Sequence, residues 1–269
     1  MAEASRYSGV RGTITPVVKI RSKAAFSLLE LLVCIAIIAL LLGILLPVLV
    51  HARRVGYAAV CSSNLRQLSI GWQSYLQDNK DMFPRYGALP EWEYGGAVFV
   101  GAERRAALDA RRPINRHLDA TSHEDSDLAR LFHCPGDQGV YERGVASRGR
   151  AGPSLLARGS AFEQYGTSYR ANPLLMDSSK AGLDRAARPL GLHELHADHS
   201  RVLLTADATW AYATATPGSE EASREASWHG NRDQGNMLAV DGSVRFINFA
   251  QSPRVEFVIS PRPEIADAH

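Results

Sequence analysis

From Phe26 to Val50 the chain is an unbroken apolar run, FSLLELLVCIAIIALLLGILLPVLV, whose single charge is Glu30. As a helix rising 1.5 Å per residue it spans roughly 37 Å, enough for a hydrocarbon core of about 30 Å. A secretory signal has a shorter apolar region followed by a small-residue cleavage site, and none stands after Val50. Beyond it the pattern turns amphipathic. Cys61, Leu65, Leu68, Trp72 and Tyr75 recur at three- and four-residue intervals, which predicts one apolar stripe on a helix over residues 57–77. Asp78-Asn79-Lys80-Asp81 ends that helix and Pro84 prevents its resumption.

Residues from about 82 to 269 alternate short apolar pieces with Gly, Ser, Arg and Asp, and suffice for one domain. Val98-Phe99-Val100 and Val202-Leu203-Leu204-Thr205 read as strands. Asn236–Val240 and Ser243–Ile247 flank Asp241-Gly242, a favoured two-residue hairpin turn. That turn sets Ala239 against Val244 and Met237 against Phe246, giving an apolar side that should pack on the amphipathic helix. Segments 101–130, 141–165 and 213–227 have weak periodicity and read as long loops or short helices. The fold class is therefore α+β: a long N-terminal transmembrane and stalk helix packed on the small antiparallel sheet of a head.

Charge refines this layout. The whole chain is +2, but residues 1–25 hold Arg6, Arg11, Lys19, Arg21 and Lys23 against Glu3 alone, so the remainder is −2. The basic excess flanks the apolar run, which the positive-inside rule reads as a cytoplasmic N-terminus with the head outside. A pI of about 8.5 then says nothing about nucleic acid. Arg104-Arg105 and Arg111-Arg112 are read as solvated faces, without the aromatic interleaving of a strand-binding groove.

Glu30 admits a plain reading, a carboxylate favoured by the helix dipole at a helix start. Its neighbourhood offers a sharper one. Lys23-Ala-Ala-Phe-Ser-Leu-Leu-Glu30 and the apolar run after it resemble the class III signal of type IV prepilins and type II secretion pseudopilins. The resemblance implies a basic leader, residues 1–25, cut between Ala25 and Phe26, and methylation of the new Phe26 amine by the prepilin peptidase. It implies an assembly role for Glu30, the fifth mature residue, and for Pro47 at mature position 22, where a helix-bending proline is common. The family carries Gly before the cut and this chain carries Ala25, bulkier by one methyl group, so cleavage rests on the peptidase accepting it.

Further pieces extend the likeness: Cys61-Ser-Ser-Asn-Leu-Arg-Gln-Leu68, Met82-Phe83-Pro84, Phe132-His-Cys-Pro-Gly-Asp137, Tyr165-Gly-Thr-Ser-Tyr-Arg-Ala-Asn172 and the Asp-Gly turn. They resemble bacterial pseudopilin-like proteins, of the type II secretion G-like kind, with a C-terminal signature of His, nine residues and Asp-Gly. Here eleven residues separate His229 from Asp241 and Gly242, which predicts an enlarged loop over residues 229–235. The implied domains are a leader (1–25), a transmembrane and stalk helix (26–80) and an extracytoplasmic head (81–269).

Cys34, inside the apolar run, is read as a packing residue. Cys61 and Cys134 would both lie outside the membrane, where disulfides persist. They remain open to three states: a disulfide pinning head to stalk, two buried thiols, or metal ligands with His133. His193, Glu194, His196, Asp198 and His199 lack the HExxH spacing of a zinc site and read as solvated loop residues. Calcium sites in the C-terminal loops of some pseudopilins make Asp137, Asp207, Asp233 and Asp241 candidate oxygen donors, although EF-hand spacing is missing. No cofactor is expected. Nor is an enzyme: Gly-x-Ser-x-Gly and phosphate-loop motifs are absent, and His229 with Asp207 or Asp241 has no nucleophile beside it.

Two functions fit. One is a structural subunit of a type II secretion or type IV pilus-like machine, inserted once in the inner membrane and packed through its N-terminal helix with itself or other pseudopilins into a periplasmic fibre. The other is a membrane-anchored module that binds an envelope component or polysaccharide and never polymerises.

Overall fold

A computed structural model describes residues 27–85, 89–100, 105–109, 111–118, 126–139, 159–180, 187–215, 228–230, 233–250 and 257–261. The leader, Ala25 and Phe26, most of 141–165 and residues 216–227 lie outside them. The chain divides into two compact units, Met1–Pro47 and Val48–His269.

Helix α1, Leu28–Asp78, is one element of 51 residues with Pro47 inside it. In the first unit its apolar side chains are exposed all round: Leu28 is 81% and Ile44 65% accessible. A helix apolar on every face and covered on none calls for lipid or other helices as its surroundings. In the second unit the same helix buries Cys61, Asn64, Leu65, Leu68, Gly71, Trp72 and Leu76. The expected stripe is there, widened by Asn64, Gly71 and Leu76, with Tyr75 only half-buried. The helix stops at Asp78, after which Lys80 and Asp81 take left-handed φ angles of 55° and 59°.

The head is α+β. Four antiparallel strands in the order β3-β4-β5-β6 are Tyr169–Ala171, Leu203–Asp207, Gln234–Ala239 and Val244–Asn248. A separate antiparallel pair, β1 (Ala97–Val100) and β2 (Arg105–Leu108), lies in a stretch where the sequence suggested strand 98–100 but loops or short helices beyond it. Arg-Ala-Ala-Leu has no strand propensity, and its conformation comes from pairing with Ala97–Val100. Helices α2 (Pro90–Glu93), α3 (Ser126–Ala129), α4 (Ala161–Tyr165), α5 (Pro173–Met176) and α6 (Trp210–Ala215) are single turns or little more.

The β5–β6 hairpin corrects the expected register by one residue. Leu238 pairs with Val244, Met237 with Arg245 and Asn236 with Phe246. The loop is Val240-Asp241-Gly242: Gly242 N–H donates to Ala239 O, Ala239 N–H to Ser243 O, and Gly242 sits at φ 89°. A three-residue hairpin with glycine in the left-handed position is the next favoured solution after the two-residue turn. The consequence is a change of face. Leu238, Val240 and half-buried Val244 pack with Cys61, Leu65, Leu68 and Trp72 of α1, whereas Met237, Ala239 and Ile247 belong to a second core with Leu203, Ala206, Trp210, Phe249 and Phe257. The sheet is thus covered on both sides, and β4 is buried at every residue. A register shift between Leu203 and Thr205 puts Leu203 and Ala206 in the same core despite their odd spacing.

Candidate functional site

The first candidate is the N-terminal end of α1. Ser27 Oγ accepts from Leu29 N–H at 3.3 Å and Glu30 Oε2 accepts from Ser27 N–H at 3.0 Å. This reciprocal cap satisfies two of the amide donors that every helix start leaves over. It also fixes the Glu30 carboxylate at the positive end of the helix dipole, four positions after Phe26 in the sequence. After Glu30 the run is apolar through Val50, and no side chain of residues 28–50 is buried.

Residues 20–46 match the prokaryotic N-terminal methylation motif.

The motif supports a chain of the prepilin type, pilin or pseudopilin. It implies processing by prepilin peptidase and pilin-like assembly. With one apolar helix long enough to cross a bilayer among the described residues, near the N-terminus, the chain suits single-pass membrane anchoring. No curated protein and no solved structure matches the chain.

The second candidate lies in the head, built by one rung of the sheet. Tyr169 pairs with Asp207, Ala206 with Met237 and Asn236 with Phe246, so Tyr169, Asp207, Asn236 and Phe246 stand in a row across all four strands. The row runs beneath α1. Asn64 Nδ2 donates to Tyr169 Oη at 3.2 Å and to His133 O at 3.0 Å, and Asn236 Nδ2 donates to Ala58 O at 3.2 Å. Burial pushes the Tyr169 phenol well above its ordinary pKa, and the neighbouring Asp207 charge acts in the same direction.

Asp207 and His229 are both buried, and Asp207 Oδ2 meets His229 Nε2 at 3.0 Å. A carboxylate only accepts, so Nε2 carries the proton of this bond. The same oxygen accepts from Asn236 N–H at 2.6 Å and from Asn236 Nδ2 at 3.1 Å. Asp207 Oδ1 and His229 Nδ1 have no hydrogen-bond partner among the described residues, although both are buried.

Above this pair, Cys61 of α1 is bonded to Cys134, 73 residues on. Cys134 Sγ is 3.7 Å from His229 Nε2, and the Cys134 N–H donates to Ser168 Oγ at 3.0 Å. Cys134-Pro135-Gly136-Asp137 is a turn closed by Asp137 N–H to Cys134 O, 2.9 Å. A Cβ on Gly136 would stand 2.9 Å from His229 Cε1, so glycine is what lets this turn lie against the imidazole. One donor atom each from Cys61, Cys134, Asp207 and His229 lies within 4.8 Å of the others. Beside His229 opens a groove of about 550 Å³, lined also by His51, Arg54, Ser62, Arg66 and exposed Phe246.

The remaining sequence candidates fall elsewhere. Asp137 accepts from Gly139, Ala161 and Phe162 N–H and from Ser168 Oγ, so it holds the first two amides of α4, whose N-cap is Ser160. Asp241 lies exposed in the hairpin turn, its Oδ1 taking Ser243 N–H and Oγ–H. Asp233 has φ 60° and accepts through its carbonyl from Phe249 N–H. Of the four aspartates weighed for calcium, Asp207 alone joins a multi-donor group among the described residues. His229 and Asp241-Gly242 stand at opposite ends of β5, a six-residue strand about 20 Å long. Two of the eleven residues between them, Asn231 and Arg232, lie outside the described set.

His133 packs against Phe162, ring centroids 4.9 Å apart. In the histidine-rich segment, Arg188 donates to both carboxylate oxygens of Glu194 at 2.7 and 2.8 Å, and Gly191 N–H adds a third bond. The Arg188 hydrogen bonds hold the Glu194 carboxyl down to about 2, against the opposing effect of burial. Cys34 is exposed on α1. The Tyr169–Asp207–Asn236 row was missed from the sequence, since strand pairing alone aligns it.

Proposed function

We propose that this chain is a structural pseudopilin-like subunit of a type II secretion or type IV pilus-like assembly. Prepilin peptidase cuts between Ala25 and Phe26, methylates the new amine, and leaves a protein with a transmembrane and stalk helix over residues 26–80 and a head over 81–269. The N-terminus lies in the cytoplasm before cleavage and the head is extracytoplasmic. What carries this reading is the methylation motif at residues 20–46 leading into a helix whose apolar side chains have no cover. Such a surface is stable in lipid, and equally against copies of itself once the subunit leaves the bilayer.

Glu30 supplies the register of that packing. A carboxylate inside an apolar bundle costs several kcal/mol unless paired, and the methylated Phe26 amine of a neighbouring subunit is the charge that neutralises it. Pro47 lets the helix adjust along the bundle.

Intact-mass measurement of the membrane-extracted protein tests the first step: a chain beginning at Phe26 and heavier by one methyl group is expected. Retention of residues 1–25 would overturn the fibre reading in favour of an anchored binding module. Glu30→Ala tests the second step, and is expected to abolish incorporation into the assembly while the head stays folded.

A further inference from the structure

We propose that Cys61, Cys134, Asp207 and His229 form a binding site for a divalent transition metal of the zinc class, and that the ion and the Cys61–Cys134 disulfide exclude one another. The proposal is independent of fibre assembly.

The donor set comes first. Two thiolates, an imidazole and a carboxylate make a borderline-soft quartet that suits tetrahedral zinc and does not suit calcium or magnesium. Around a zinc ion with bonds of about 2.0–2.3 Å, neighbouring donors stand roughly 3.3–3.8 Å apart. The four donor atoms here already lie within 4.8 Å of one another, all in buried residues. Adjustments of about an ångström close the gap. The Cys61 and Cys134 Cα atoms are 5.2 Å apart, so side-chain rotation alone can separate the sulfurs.

Outer-shell partners are in place as well. Asn236 N–H and Nδ2 both hold Asp207 Oδ2, orienting the carboxylate and leaving Oδ1 without a partner among the described residues. An orphaned carboxylate oxygen beside a disulfide is costly to the oxidised state and corresponds to the spare valence a metal site needs. The groove beside His229 gives a small ion its way in.

Interconversion balances. An external dithiol reduces the Cys61–Cys134 bond, becomes a disulfide itself, and leaves two thiols in the site. Binding one divalent ion then releases both thiol protons. The neutral imidazole shifts its proton from Nε2 to Nδ1 so that Nε2 can coordinate. Oxidation reverses the sequence and expels the ion.

The test uses the full chain in detergent, with Co²⁺ as the probe because thiolate ligation gives it a charge-transfer absorption band. Protein reduced with a phosphine and desalted is expected to bind one Co²⁺ per chain with that band, Zn²⁺ is expected to displace it, and oxidised protein is expected to show no band. Cys61→Ser/Cys134→Ser should abolish the band, and His229→Ala and Asp207→Asn should each weaken binding about tenfold or more. If the reduced chain loses near-UV circular dichroism, Zn²⁺ should restore it. The proposal is overturned by a reduced, folded chain that shows no band, by failure of Zn²⁺ to restore a chain unfolded on reduction, or by affinity unchanged in both single variants, which would mean capture by two thiolates alone.

Discussion

Asp207 and Asn236 face each other across β4 and β5, and a single carboxylate oxygen of Asp207 takes both the backbone N–H and the side-chain amide of Asn236 while also meeting His229. Three donors on one buried oxygen make this carboxylate the organiser of the sheet's central rung. Removing it takes the acceptor from Asn236 N–H and His229 Nε2 and leaves Asn236 Nδ2 with Ala58 O.

Asp207→Ala should therefore destabilise the oxidised protein by about 3 kcal/mol, the cost of leaving buried donors without an acceptor. Asp207→Asn keeps the shape and one acceptor and should lose less. Urea unfolding of the two variants, compared at constant m-value, gives the ranking, and equal losses would mean that packing, not the charge, sets the cost.

The stripe on α1 makes a second expectation. Leu65 and Leu68 are fully buried between helix and sheet. Leu65→Ala should cost about 3 kcal/mol through lost burial and the cavity left behind. Ile70→Ala, on the same helix but 66% exposed, should change stability by under about 0.5 kcal/mol. A denaturant midpoint that moves equally for both would place the helix outside the core.

Reduction without metal exposes the contribution of the cross-link. In the chain-entropy description, a loop of 73 residues corresponds to about 4 kcal/mol of stabilisation. Cys61→Ser/Cys134→Ser should unfold at markedly lower urea than the oxidised parent, and the parent in excess reductant and chelator should fall to the same midpoint.

Acid stability has an identifiable contributor in Glu194. Its carboxyl is held at about 2, below an ordinary value of 4.5, so its stabilisation is full above 4.5 and drains away as the pH falls toward 2. Glu194→Gln should therefore lower stability at neutral pH and converge with the parent near pH 2. Thermal midpoints of the two proteins measured at intervals from pH 7 to 2 check this, and parallel curves would contradict it.

Gly166 follows α4 at φ 81°, and a Cβ there would lie 1.8 Å from the carbonyl oxygen of Ala97. Gly166→Ala combines left-handed strain with a clash against fixed backbone, and should cost more than about 2 kcal/mol. Soluble yield and the urea midpoint report it. A neutral outcome would mean that β1 can move aside.

What could be read from the sequence divides along the range of the interactions involved. Cys61, Leu65, Leu68 and Trp72 announce their shared face because helical periodicity is local, and the apolar run before them is legible for the same reason. The Asp241-Gly242 turn was legible as a turn, but not its length. Gly242 closes a three-residue loop, and that single step moved Met237 and Ala239 away from the helix into a second core. Arg105–Leu108 is a strand only because Ala97–Val100 pairs with it. Nor could Tyr169, Asp207 and Asn236 be aligned in advance, since their neighbourhood depends on three strands and a register shift in β4. His229 was noticed through its distance from Asp241, yet its neighbours are Asp207 and Cys134 at the other end of β5.

The Cys61–Cys134 bond has a mechanical consequence. When the chain is pulled by its two ends, tension passes from Cys61 straight to Cys134, and residues 62–133 between them never enter the load path. Roughly 240–260 Å of contour length is thereby hidden from extension until the bond is reduced. A head stretched by one end of a membrane machine would keep residues 62–133 as a slack loop off the line of force, and would lengthen by that amount only after losing its two-sulfur clasp.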